Sequence, residues 1–97
     1  MIDELFAIIE DRKARMPAGS YTAQLLSAGD GLILKKVGEE AIEVILAATR
    51  EGDQRLLEEA ADLIYHLLVL LADHGLQFED VQAELRRRHI PDHPPAP

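Results

Sequence analysis

The run ILKKVGEEAIEVILAATREGDQRLLEEAADLIYHLLVLLADHG, residues 33–75, decides the fold. Apolar residues recur at 33, 37, 41, 44, 45 and 48, the period of one helix face, and predict a helix from Leu32 to about Arg50. Gly52 ends it, Asp53 is placed to cap the next helix, and that helix runs to about His74 before Gly75 closes it. So short a turn makes the two helices an antiparallel hairpin. From Leu63 to Leu71 the second helix is apolar around nearly its whole circumference, where a surface helix would show a polar stripe. In a small chain a second subunit buries such a helix best, so a homodimer or larger assembly with these two helices at its centre is expected.

Outward from the hairpin, Ile2, Leu5, Phe6 and Ile9 stand at helical spacing, with Arg12, Lys13 and Arg15 where cations suit a helix C-terminus. They predict a first helix over 2–15. MPAGS breaks it, and Ser20 can cap a short helix through Leu25 and Leu26 that stops near SAGDG. FEDVQAELRRRH makes a last amphipathic helix, acidic early and basic late. The expectation is an all-α bundle of four to five helices over residues 1–89, completed by dimerisation, with a disordered proline-rich tail at 90–97.

The chain has 97 residues, enough for one domain, and 47% of them are hydrophobic with Phe6, Tyr21, Tyr65 and Phe78 as the only aromatics. A net charge of -8 argues against a nucleic-acid or membrane-surface binder, which needs a basic face to meet phosphates. The chain has no cysteine, which removes disulfides and thiolate metal sites. MIDELFAIIEDRK lacks the basic start and cleavage site of a signal peptide. The longest apolar stretch, Leu63 to Ala72, is interrupted by His66 and too short for a bilayer. A cytoplasmic protein is the expectation.

Of all the acids, only Glu40 with Glu43 and Glu59 with Asp62 stand three apart, on one helical face. Glu43 and Glu40 precede Gly52 by nine and twelve positions, and Glu59 and Asp62 follow it by seven and ten. At about 1.5 Å of rise per residue the pairs reach nearly the same height across the hairpin. Like charges so placed repel, as do Glu39 with Glu43 and Glu58 with Asp62 at four-residue spacing. Asp62, embedded in AADLIYHLLVLLA, reads as a buried acid in need of a partner. Either pair alone fits a solvated face; together they fit a metal site. Oxygen-only ligation favours Mg²⁺, with Mn²⁺ as the alternative. A di-iron bundle would use Glu-x-x-His, and no Glu here has a His three positions later.

Lys36 falls on the side of Glu40 and Glu43, where it either pairs with Glu40 or reaches a substrate phosphate. Gly38 costs a helix about 1 kcal/mol relative to Ala, which close approach of a ligand or helix would explain. His66 reads as a core histidine bonded to Asp62 rather than a catalytic group. Arg86, Arg87 and Arg88 read as a solvated helix end, with a phosphate contact in a partner's site as the alternative.

Glu-x-x-Glu, fifteen residues, then Glu-x-x-Asp resembles the metal-binding signature of MazG-like all-α nucleoside triphosphate pyrophosphatases. SYTAQLL at 20–26, ILKKVGEEAIEV at 33–44 and EAADLIYHLLVLLADHGL at 59–76 resemble, within that group, the phosphoribosyl-ATP pyrophosphatase family of histidine biosynthesis. The resemblance runs from residue 2 to about 89. It implies a dimeric, Mg²⁺-dependent enzyme that hydrolyses phosphoribosyl-ATP to phosphoribosyl-AMP and pyrophosphate. It places Glu40, Glu43, Glu59 and Asp62 on the metal, and Glu39 beside them or as a further ligand. It gives Ser20, Tyr21, Thr22 and Lys36 to the nucleotide and its phosphates. Glu39 and Glu43 are the candidates for general base. Gln77 departs from the family's usual small N-capping residue, which bears on stability and not on chemistry. A house-cleaning nucleoside triphosphate pyrophosphatase and a non-catalytic helical interaction module are the alternative readings.

Overall fold

The computed structural model describes residues 1–89; the tail expected at 90–97 lies outside the described residues. They form five α-helices, α1 (Ile2–Arg15), α2 (Tyr21–Ala28), α3 (Asp30–Leu46), α4 (Asp53–Asp73) and α5 (Phe78–His89). The all-α class read from the periodicity therefore holds, and α3 and α4 are the hairpin.

α1 has Asp3 and Glu4 in its first turn and Arg12, Lys13 and Arg15 in its last, matching the helix dipole at both ends. Lys13 Nζ donates to the Ala72 carbonyl at 2.6 Å, tying α1 to the last turn of α4. Ser20 caps α2, its Oγ accepting from the Ala23 N–H at 3.1 Å.

α3 begins at Asp30, two positions ahead of the start expected at Leu32, because Gly29 releases the chain from α2 directly into it. Its α-helical bonding ends at Leu46, where the sequence predicts continuation to about Arg50. A wide π turn, Ala47–Glu51, replaces the last stretch. There the Thr49 hydroxyl donates back to the carbonyls of Ile45 and Leu46, at 3.0 and 3.3 Å, a competing bond that loosens a helix end. Gly52, at φ 90°, then reverses the chain. Asp53 is the first residue inside α4 rather than its cap; Gly52 holds the cap position, with no side-chain capping bond.

α4 ends in a Schellman motif: the Leu76 N–H reaches the Leu71 carbonyl at 2.9 Å and the Gly75 N–H the Ala72 carbonyl at 3.1 Å. Gly75 supplies the required left-handed residue at φ 72°. Gln77 opens α5 without a side-chain cap of its own. Asp80 compensates, accepting from the Gln77 N–H at 2.8 Å, which is the reverse half of a capping box.

The core gathers Phe6 and Ile9 of α1, Leu25 of α2, Ile33 of α3, and Leu68, Val69 and Ala72 of α4. Each fully buried Leu, Ile or Val side chain there contributes about 1.5–3 kcal/mol. The hairpin's share of this core comes from the first half of α3 and the second half of α4, with α1 and α2 packed around it. The other end of the hairpin buries only Ala47 and Glu59, and α5 buries nothing. The Cα radius of gyration, 15.0 Å, exceeds the about 12–13 Å of a compact chain this long. A hairpin thus stands out from a small core, and the paired acids lie on it. Among the described residues no helix is long and apolar enough to cross a membrane.

Candidate active site

The seam between α3 and α4 brings one carboxylate oxygen each of Glu40, Glu43 and Glu59 within 4.8 Å of one another. The antiparallel register predicted from Gly52 is what makes this possible, since it sets Glu59 opposite the turn from Glu40 to Glu43. Glu59 is only 3% exposed. Its Oε2 and the Oε2 of Glu40 are both buried and accept no hydrogen bond, an arrangement that costs free energy unless a cation or donor meets them.

The protons of this cluster are displaced accordingly. Burial pushes the Glu40 carboxyl above the usual range, and its contact with Glu59 and the charge of Asp62 push the same way. Glu43 is raised chiefly by sharing a hydrogen bond with Glu59. Glu59 is held low by that bond, with help from Glu40 and from the Arg55 guanidinium. Two carboxyls that resist ionisation beside one that does not is the signature of a site short of positive charge.

Asp62 departs from the expectation of a buried acid. It is exposed and outside the close triad, though near enough to repel Glu40. Glu39 is also outside the triad and 45% exposed, with its Oε1 3.7 Å from Lys36 Nζ. Lys36 therefore pairs with Glu39 and not with Glu40. A Cβ on Gly38 would meet nothing within 4 Å, so packing inside this chain does not explain that glycine.

Ser20, Tyr21 and Thr22 stand outside the triad, at the start of α2, and Tyr21 and Thr22 are fastened to α4. Nδ1 of His66 faces the Asp62 backbone carbonyl at 2.8 Å. A carbonyl only accepts, so Nδ1 donates, and in the neutral ring Nε2 accepts from the Tyr21 hydroxyl at 3.1 Å. The bond to Asp62 expected of His66 is thus to its backbone and not its carboxylate. The Thr22 and Tyr65 hydroxyls bond to each other, and burial raises the Tyr65 phenol. Tyr21 stays 47% exposed beside Tyr65, ring centroids 6.2 Å apart. His66 follows Glu59 by seven residues, about 10 Å of backbone rise along α4.

Sequence reasoning missed Arg55, which donates to Glu58 and Glu59 and lies 3.6 Å from Glu51. Its four-residue spacing ahead of Glu59 was the available signal. It grips one oxygen of Glu59 and leaves the other turned into the cluster. Arg86, Arg87 and Arg88 are spent on Glu79 and Glu84 within α5, in keeping with a solvated helix end.

The triad suits a hard divalent cation. Octahedral Mg²⁺ with ligands at about 2.1 Å needs oxygens about 3 Å apart when adjacent and about 4.2 Å when opposed. Three carboxylates within 4.8 Å, two of them with unused buried oxygens, come close to that spacing before any side chain turns.

The sequence model of the family described as Phosphoribosyl-ATP pyrophosphohydrolase matches residues 2–89. A Metallosphaera sedula protein named phosphoribosyl-ATP pyrophosphatase is 53% identical over 88 residues, covering 91% of this chain and 95% of its own. One of the same name from Pelotomaculum thermopropionicum is 56% identical over 88 residues, 91% of this chain and 90% of that one. Another from Haloarcula marismortui is 50% identical over 90 residues, 91% and 92% of the two chains. With a family match over nearly its whole length and relatives at about half identity throughout, the chain belongs to the phosphoribosyl-ATP pyrophosphohydrolase family.

Proposed function

We propose that this chain hydrolyses phosphoribosyl-ATP to phosphoribosyl-AMP and pyrophosphate, the second step of histidine biosynthesis, with Mg²⁺ or Mn²⁺ held by Glu40, Glu43, Glu59 and Asp62. The carrying observation is the convergence of three carboxylates from two helices with two buried oxygens unsatisfied. Asp62 is exposed and free to turn toward Glu40, which already feels its charge. A divalent cation supplies positive charge against the phosphate oxygens and the departing pyrophosphate.

The residues of the chain divide the remaining work. A water attacks the α-phosphorus in line, its oxygen bonding to phosphorus as the bond to the bridging oxygen of the β-phosphate breaks. Glu39, one turn before Glu43 and outside the triad, takes the water's proton. Lys36, half-buried beside Glu39, reaches a phosphate oxygen. Ser20 keeps its hydroxyl hydrogen for the substrate, since its oxygen is only accepting from Ala23. Tyr21 offers an exposed ring face to the base or a sugar, fixed in orientation by His66. Thr22, paired with Tyr65, fixes the α2–α4 seam that presents them.

The same reading includes a homodimer. Leu34, Gly38, Ile42 and Ile45 form a stripe on α3, and Leu57, Ala61 and Ile64 one on α4, both turned away from the seam. Ile42, Ile45 and Leu57 are 61%, 62% and 66% exposed, and a helix docking at Gly38 would meet no side chain. Sedimentation equilibrium showing a stable monomer at micromolar concentration would remove this part of the reading.

The activity is tested by pyrophosphate release from phosphoribosyl-ATP and from ordinary nucleoside triphosphates, each with and without Mg²⁺. Metal-dependent turnover confined to phosphoribosyl-ATP is the expected result. Equal turnover of ordinary triphosphates would refute the substrate, and metal-independent turnover would refute the site.

A further inference from the structure

Arg55 stands in the first turn of α4 and spans three acids. Its Nη1 donates to Oε1 of Glu58, its Nη2 to Oε1 of Glu59, and its Nε lies 3.6 Å from Glu51 in the π turn. The guanidinium is a rigid plane, so holding it at Glu51 and Glu58 fixes where its remaining arm meets Glu59. Among the described residues no other cation pairs with a carboxylate of the triad, since Lys36 is turned to Glu39.

The two oxygens of Glu59 are therefore unlike. Oε1 is held by Arg55, whereas Oε2 is buried and without a hydrogen bond, as is Oε2 of Glu40. A carboxylate pinned at one oxygen has one left for a metal. Small Mg²⁺ holds to near-ideal octahedral geometry, while the larger Ca²⁺ also takes both oxygens of a carboxylate.

We propose that Arg55 is a positioning residue for the cation site, fixing Glu59 to offer a single oxygen and so favouring small divalent ions over Ca²⁺. This rests on the reading of the triad as a divalent-cation site. Charge alone predicts the opposite effect, because a positive group beside a cation opposes its binding and deleting that group would tighten the site. Arg55 is half exposed, however, and its charge is offset by Glu51 and Glu58, whereas Glu59 is almost fully buried. Orientation of the buried oxygen therefore outweighs repulsion from the screened charge.

Mn²⁺ is the probe, added to the full chain dialysed free of metal, with unbound Mn²⁺ read by electron paramagnetic resonance and Ca²⁺ affinity by competition. Gln matches Arg closely in helix propensity, and native helicity of the variants is checked by circular dichroism. Arg55→Gln is expected to bind Mn²⁺ about 10- to 100-fold more weakly than wild type. Its loss of Ca²⁺ affinity is expected to be smaller, since Glu59 is then free to offer both oxygens. Unchanged or tighter Mn²⁺ binding in Arg55→Gln, with binding weakened in Glu40→Gln, would overturn the positioning role and leave the cation site standing. Equal losses for Mn²⁺ and Ca²⁺ would overturn it too, as a general loosening of α4. Unchanged binding in both variants would remove the cation site and the proposal with it.

Discussion

Glu40→Gln separates a metal-binding carboxylate from a structural one, because the two roles shift stability in opposite directions. In the metal-free chain, burial and the neighbouring Glu59 and Asp62 hold the Glu40 carboxyl above its ordinary value of 4.5. The folded state therefore binds that proton more tightly than the unfolded state. Metal-free stability contributed by this group is present at low pH and is lost as pH rises from 4.5 through the raised value. Gln removes the charge but keeps the shape, so the metal-free variant is expected to be no less stable than wild type at pH 7, with a flatter pH profile above 4.5.

With metal the order reverses. Magnesium at a hundred times its Kd stabilises wild type by about 2.7 kcal/mol, about 10–20 °C in Tm for a domain of this size. Losing one oriented group at a metal site weakens binding by about 10- to 100-fold. At the weaker limit the variant sits near its own Kd at the same magnesium, gaining about 0.4 kcal/mol, or about 2–3 °C. Differential scanning fluorimetry with and without Mg²⁺, alongside pyrophosphate release, reads both halves. An equal magnesium-induced rise in the two proteins with turnover intact would refute the assignment. So would a Glu40→Gln protein that melts well below wild type without metal.

Leu68→Ala, at a position 1% exposed, is expected to cost about 2–5 kcal/mol in urea unfolding; a loss under 1 kcal/mol would mean the core lies elsewhere. Ile45→Glu puts a charge on the unpartnered stripe of α3 and is expected to convert a dimer to monomers in sedimentation without loss of helicity. Tyr21→Phe removes the bond to His66, about 0.5–1.5 kcal/mol, and keeps the ring. A rise of up to about tenfold in KM with kcat little changed is expected, and an unchanged KM would take Tyr21 out of substrate positioning.

The helices were legible because their signals are local. Apolar spacing, Ser20 and Gly75 act within a few residues of themselves, and the ends of α1, α2 and α4 follow from them. The π turn at Ala47–Glu51 was not legible from that pattern, since apolar periodicity carries no sign of which carbonyl Thr49 will take. Arg55 went unread for a different reason: spacing of three and four to an acid does not distinguish it from any other helical ion pair, and only the burial of Glu59 gives that pairing a role.

The acids show how far helix phase carries an argument. Three residues of an α-helix turn through 300°, so the members of each pair diverge by about 60° and enter the seam to different depths. Glu59 takes the inner position on α4 and leaves Asp62 outside; Glu40 takes it on α3 and leaves Glu43 more exposed. Treating Asp62 as buried because its neighbours are apolar ignored this divergence, since the apolar circumference after Leu63 serves the core one turn further on. The inner pair carries the unsatisfied oxygens, and Glu43 and Asp62 lie on the exposed side with Glu39. The spacing of three thus sets one acid of each pair deeper in the seam and the other toward solvent. A spacing of four, with about 40° of divergence, would put both acids nearer the seam and crowd more charge into it.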